Sequence, residues 1–117
     1  MSRVGLLGCG KIGSMLLEDL LQGGKHQVTF IQDPFCCEKG DIPVIAKADP
    51  RLLEQTELVI ETATASVLQE NIALILQYCD IMLFSVTAFS DNSFYEEVKH
   101  LTGKYHHKVY LPHGAIL

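Results

Sequence analysis

The strongest constraint on the fold is a glycine-rich segment near the start of the chain. Residues 8–13 read G-C-G-K-I-G and separate a short apolar run, residues 3–7, from a segment whose apolar residues recur at helical spacing. Gly23-Gly24 interrupts that spacing, and β-branched and aromatic residues return at 27–32. The pattern predicts a strand, a turn, a helix and a second strand, which together form a βαβ unit.

The rest of the chain continues this alternation. Asp49, and then Thr64 or Ser66, suit helix N-caps, and Gly103 is placed to end the last helix. Strands that alternate with helices indicate a parallel sheet covered on both faces. We therefore expect an α/β fold with a doubly wound, mostly parallel six-stranded sheet of the NAD(P)-binding Rossmann type. Four further strands are predicted at residues 42–46, 58–62, 81–86 and 108–111.

The glycine segment matches G-x-G-x-x-G, which binds a dinucleotide when it follows a strand and opens a helix. Gly8 would make the tight turn, Gly10 would let the backbone approach a pyrophosphate, and Gly13 would let helix and strand pack closely. The N–H groups of Lys11 and Ile12 would face the phosphates at the helix N-terminus. A glycine turn without a ligand and an S-adenosylmethionine site are the alternatives.

An acidic residue follows at the spacing of a ribose ligand. Asp33 comes twenty residues after Gly13, at the end of the second predicted strand, where a carboxylate accepts hydrogen bonds from the adenosine ribose. Such a carboxylate would repel a 2′-phosphate, and the next basic residue, Lys39, is six positions on. We therefore expect NAD rather than NADP, with an ordinary turn aspartate as the alternative interpretation.

Small and hydroxyl-bearing residues follow the fourth and fifth predicted strands. Ligands of doubly wound sheets lie outside the carboxyl ends of the strands, where the strand order reverses. We expect the nicotinamide half of a dinucleotide to approach the backbone there, although helix caps and turns would use the same residue types. Glu61 directly precedes the first segment and is expected to be a hydrogen-bonded structural carboxylate. The predicted contacts are Thr62, Ala63, Thr64, Ser85, Thr87 and Ala88.

Composition and charge exclude several classes of function. Nine Lys and Arg stand against fourteen Asp and Glu, for a net charge of −5, and the scattered basic residues give no footprint for nucleic acid or an anionic membrane. Polar residues interrupt the most apolar region, so we expect no membrane span. The five histidines and four cysteines show no metal-ligand spacing. We expect no metal, a loop at Cys36-Cys37, and a cytoplasmic location.

These segments together resemble the L-aspartate dehydrogenase family, which is grouped with homoserine dehydrogenase-like proteins. That resemblance implies a Rossmann domain over residues 1–117, a second α/β domain absent from this chain, and oxidation of L-aspartate to iminoaspartate with NAD or NADP, which can feed NAD biosynthesis. His113 stands where the family usually has serine. The family's catalytic histidine belongs to the second domain, so no catalytic residue is expected here. The matching stretches are residues 8–13, 61–64, 85–91 and 109–116.

The resemblance further implies that the chain is the cofactor domain of an oxidoreductase and is inactive by itself. Its expected partners are a dinucleotide and, through the second domain, a small amino acid; a homo-oligomer is left open. The alternative from another class is a non-catalytic module that binds NAD or NADH and regulates a partner.

Overall fold

The computed structural model describes residues 2–35 and 40–111. Cys36-Cys37 and His113, which the sequence singled out, lie outside the described residues. The strands are β1 (Ser2–Leu7), β2 (His26–Gln32), β3 (Val44–Ile45), β4 (Leu58–Glu61), β5 (Asp80–Leu83) and β6 (Val109–Tyr110). The helices are α1 (Lys11–Gly23), α2 (Pro50–Glu54), α3 (Ala65–Leu76) and α4 (Asn92–Tyr105), with a 3₁₀ turn at Val86–Ser90.

All six strands are parallel and pair in the order β3-β2-β1-β4-β5-β6. This confirms the predicted doubly wound α/β fold. The chain runs outward from β1 to β3 and then returns past β1 to β4, so the strand order reverses between β1 and β4. Leu7 at the end of β1 is level with both Gln32 and Glu61. The carboxyl ends of the three central strands therefore meet at one edge, which is where such folds bind ligands.

The two faces of the sheet are covered unequally. On one face, the larger core packs under α2, α3 and α4, and Ile81 and Val109 are fully buried there. On the other face, α1 covers β1 and β2 and buries Leu6 completely. Further along that face, Met82 and Tyr110 are only partly buried. Within the described residues, the second face is therefore half open over β5 and β6, whereas parallel sheets are normally covered on both sides.

Two predicted helix N-caps are confirmed, and one predicted helix end is wrong. Asp49 and Thr64 cap α2 and α3 by accepting hydrogen bonds from backbone N–H groups in the first turn, as predicted. Gly103 does not end α4, which continues to Tyr105 and stops where His106 takes the left-handed conformation, with φ of 59°. The prediction for Gly103 is therefore wrong, because an exposed glycine inside a helix weakens it without terminating it.

Candidate functional site

A cavity of about 360 Å³ opens at the edge where the strand order reverses. Its walls are the turn after β1, the end of β2 with the residues that follow, and the segment between β4 and α3. That volume falls within the range of small-molecule sites. Six of the predicted contact residues line it, namely Gly8, Gly10, Asp33, Thr62, Ala63 and Thr64.

The three motif glycines occupy three different environments. Gly8 has φ of +102°, which L side chains rarely adopt, and a Cβ there would lie 2.9 Å from the Ala63 nitrogen. A Cβ at Gly13 would lie 2.8 Å from both the Gly8 carbonyl oxygen and Thr62 Oγ1. A Cβ at Gly10 would meet no atom within 4 Å. Gly8 and Gly13 are therefore required by the protein itself, whereas the space above Gly10 is free for a ligand.

The start of α1 presents backbone donors to this space. Lys11 and Ile12 are its first two residues, and the N-cap, Gly10, has no side chain with which to satisfy the N–H groups of the first turn. The first N–H groups of a helix have no partner within the helix, and the macrodipole adds partial positive charge there. This end of α1 therefore suits an anion that approaches over Gly10.

The Asp33 carboxylate joins the end of β2 to the glycine turn. Its Oδ2 accepts a hydrogen bond from Cys9 N at 2.8 Å, and its Oδ1 accepts one from Phe35 N at 2.9 Å. A carboxylate offers about four lone-pair sites, so each oxygen keeps acceptor capacity for another donor. The structure thus brings Asp33 to the glycine motif, as the spacing predicted, and fixes the carboxylate at the wall of the cavity.

The hydroxyls after β4 already have partners within the protein. Thr62 Oγ1 donates to the Gly8 carbonyl at 3.3 Å, and Thr64 Oγ1 accepts from Val67 N at 3.4 Å as the N-cap of α3. Thr62 therefore ties β4 to the glycine turn, and Thr64 serves as a helix cap, one of the two interpretations its sequence allowed. Ala63 contributes backbone to the cavity wall.

The segment after β5 lies apart from this cavity. Neither Ser85 nor Ala88 lines it, and Ala88 is buried in the larger core, where it packs with residues of α3 and α4. Thr87 belongs to the 3₁₀ turn that follows β5. The structure thus gathers the predicted contacts from β1, β2 and β4 but not those after β5.

Glu61 is a fully buried carboxylate that joins the ends of β4 and β5. Its Oε1 accepts hydrogen bonds from Phe84 N at 3.1 Å and Ser85 N at 2.9 Å. Its Oε2 lies 2.6 Å from the Ser85 hydroxyl, which also lies 2.9 Å from the Ala63 carbonyl oxygen. The expectation that Glu61 is a hydrogen-bonded structural carboxylate is confirmed.

Sequence reasoning missed the apolar walls of the cavity. Phe35 lines it with a side chain that is 92% exposed, and Val67 lines it from the first turn of α3. An aromatic side chain at the wall of a cavity offers apolar surface and a ring face to a ring-bearing ligand. The available signal was a phenylalanine two residues after the predicted ribose ligand, in a segment otherwise expected to be polar loop.

Within residues 2–35 and 40–111, no group of three or more His, Cys, Asp or Glu side chains is arranged to hold a metal ion. Over the same residues, the helices are too short or too polar to cross a membrane.

A parallel sheet of this strand order, with a G-x-G-x-x-G turn at the point of reversal, defines an NAD(P)-binding Rossmann domain. The chain belongs to a particular family of such domains, the NAD-binding domain of homoserine dehydrogenase, whose model matches residues 8–112. It is also similar to proteins named L-aspartate dehydrogenase, which confirms the resemblance seen in the sequence. The protein from Methanocaldococcus jannaschii is 25% identical over 125 residues, and that from Methanococcoides burtonii is 29% identical over 127 residues.

The solved structures agree on the fold. Aspartate dehydrogenase from Thermotoga maritima superposes with a TM-score of 0.77 at 20% identity, covering 98% of this chain and 47% of that one. An engineered D-amino acid dehydrogenase bound to NADP+ gives a TM-score of 0.76 at 12% identity, covering 94% and 35% of the two chains. The two L-aspartate dehydrogenase sequences are covered to 47% and 46%, against 99% and 100% of this chain. The chain thus spans about half the length of these relatives.

Proposed function

We propose that this chain is the cofactor domain of an NAD(P)-dependent dehydrogenase that oxidises L-aspartate to iminoaspartate. The observation that carries the proposal is the cavity at the strand reversal, where a glycine turn, a helix N-terminus and Asp33 converge. The names of the relatives support the choice of aspartate. In this reaction the bound dinucleotide accepts hydride from the amino acid Cα, and the protein orients it.

Each part of the cavity suits one part of the dinucleotide. The open space over Gly10 and the N–H groups of Lys11 and Ile12 at the start of α1 would hold the pyrophosphate. Asp33 accepts hydrogen bonds from the adenosine ribose hydroxyls with its remaining lone pairs. Phe35 and Val67 offer apolar surface to the adenine ring.

The carboxylate of Asp33 also favours NAD over NADP. A 2′-phosphate carries negative charge and would approach the Asp33 oxygens, with a repulsive energy of about 4 kcal/mol per pair of unit charges at 4 Å for an effective dielectric constant near 20. Thr62 and Ala63, and beyond them Ser85, Thr87 and Ala88 after β5, would be the residues that hold the nicotinamide half.

The remaining features of the proposed enzyme lie outside this domain. A second domain brings the amino acid and the catalytic groups to the nicotinamide, so the 117-residue chain by itself binds dinucleotide without turnover. We place the enzyme in the cytoplasm, in keeping with the small number of cysteines. The proposed enzyme is compatible with assembly as a homo-oligomer and does not require it.

Gly10→Ala tests the proposal because the methyl group would occupy space that only the ligand needs. Gly10 has φ of −70°, which alanine adopts readily, and the added Cβ meets nothing within 4 Å. We expect unchanged folding stability and at least tenfold weaker NAD binding by calorimetry. Gly103→Ala is the matched control, since its Cβ is equally unobstructed but lies in α4. NAD affinity equal to wild type in Gly10→Ala would refute the proposed binding mode.

A further inference from the structure

We infer that Glu61 is a positioning residue, which holds the end of β5 where the nicotinamide half of the dinucleotide is bound. The inference rests on the proposed function and deepens it, because it assigns a task to a buried carboxylate that does not line the cavity. Glu61 is 0% exposed and sits at the last position of β4.

The first step is the position of Glu61 in the sheet. It pairs with Leu7 of β1 on one side and with Leu83 of β5 on the other, so it lies at the carboxyl edge between the switch point and β5. Beyond Leu83 the regular strand ends and the chain must turn toward the 3₁₀ segment. The backbone N–H groups of that turn need new hydrogen-bond acceptors, because the pairing between strands has ended.

Glu61 supplies the acceptors for the first two N–H groups after β5. The Phe84 N–H reaches both the main-chain oxygen of Glu61 and its Oε1, each at 3.1 Å. The Ser85 N–H donates to the same Oε1 at 2.9 Å. One carboxylate oxygen thus accepts from two successive backbone donors, and such charge-assisted hydrogen bonds are stronger than neutral ones.

The third step connects this anchor to the cofactor cavity. The Ser85 hydroxyl lies between Glu61 Oε2, at 2.6 Å, and the carbonyl oxygen of Ala63, at 2.9 Å, and its proton serves one or the other. Ala63 lines the cavity and approaches Gly8 of the glycine turn. Ser85 therefore fixes the distance between the cavity wall and the end of β5, and Glu61 holds Ser85 in place.

The experiment compares Glu61→Ala with Glu61→Gln in the purified chain, using NAD and saturation-transfer difference NMR. Each ligand proton reports its own proximity to protein, so the adenine and nicotinamide signals are read separately. We expect the nicotinamide-to-adenine ratio to fall at least threefold in Glu61→Ala. In Glu61→Gln the amide oxygen still accepts from both N–H groups and the NH₂ donates to Ser85, so the ratio should stay near wild type.

Two further variants keep the result interpretable. Ser85→Ala removes the hydroxyl bridge but keeps both backbone bonds, so a smaller fall in the same direction is expected even if Glu61→Ala does not fold. Glu57→Ala is the matched acidic control, because Glu57 directly precedes the opposite end of β4 and makes an exposed ion pair with Arg3 at 3.7 Å. It should leave the ratio unchanged.

The outcomes separate this inference from the proposed function. A wild-type adenine signal without a nicotinamide signal overturns the inference alone, as does an unchanged ratio in both Glu61→Ala and Ser85→Ala. An equal loss of both signals in folded Glu61→Ala shows a general structural role and also overturns it. The absence of any NAD signal in wild type removes the proposed function, and the inference with it.

Discussion

Gly13 and Gly23 lie in the same helix, and the structure predicts opposite effects for the same substitution at the two positions. Replacing a helical glycine by alanine ordinarily stabilises a helix by roughly 0.5–1 kcal/mol. A Cβ at Gly23 would meet nothing within 4 Å. Gly23→Ala should therefore realise part or all of this gain.

At Gly13 the new methyl group meets the protein on two sides. Its Cβ would lie 2.8 Å from the backbone oxygen of Gly8 and 2.8 Å from Thr62 Oγ1. Neither atom retreats easily, because Gly8 is held in its turn by a 2.9 Å hydrogen bond from its N–H to the Gln32 carbonyl, and Thr62 N donates to Leu7 at 2.8 Å. Overpacking of this kind costs about 1–3 kcal/mol. With the helical gain subtracted, Gly13→Ala should destabilise the chain by about 0.5–2 kcal/mol.

Urea unfolding followed by circular dichroism measures both variants against wild type, with the slope compared to confirm that the unfolded states are alike. The expected midpoints are lower for Gly13→Ala and equal or higher for Gly23→Ala. Calorimetry on the folded Gly13→Ala protein should also show weaker NAD binding, since α1 must shift away from the turn. A Gly13→Ala midpoint at or above that of wild type would refute the packing argument.

Three other predictions concern stability and cofactor choice. Burial, followed by the charge of Asp80, raises the pKa of Cys79 from 9.0 to about 12; the protonated thiol therefore stabilises the fold fully below pH 9 and progressively less from pH 9 to 12. Between pH 8 and pH 10 the free energy of unfolding of wild type should fall by about 1.4 kcal/mol more than that of Cys79→Ala, as measured by urea unfolding. An equal fall in the two proteins would contradict this prediction. Ile81→Ala should lower the free energy of unfolding by about 2–5 kcal/mol, whereas Met82→Ala should lower it clearly less, because Met82 is only partly buried on the half-open face. An equal drop in melting temperature for the two variants would show that this face is covered. Asp33→Asn should lower the ratio of NAD affinity to NADP affinity at least tenfold in paired calorimetric titrations, because the amide removes the charge that repels the 2′-phosphate but keeps one acceptor. An unchanged ratio would count against a ribose-binding role.

Local chemistry explains why so much of the fold could be predicted. The helical period, the two glycines that end α1 and the proline after Asp49 each act within a few residues, and they located the βαβ unit and the start of α2. The glycine motif and Asp33 could likewise be paired from spacing alone. One crossover helix of ordinary length returns the chain to the start of a neighbouring parallel strand, and β2 then runs back to the carboxyl edge, so a ribose ligand at its end lies beside the turn after β1.

Tertiary structure decided the features that depend on which strands become neighbours. The partners of Glu61 lie 23 and 24 residues further along the chain, and only the pairing of β4 with β5 brings them within hydrogen-bonding distance. The same holds for the half-open face, because Ile81 and Met82 are both apolar and only the position of the helices buries one more than the other. The sequence by itself determined the class of fold and the glycine turn with its acidic partner, through local geometry. The burial of each face and the anchor at the end of β5 were decided by long-range packing, which no short pattern encodes.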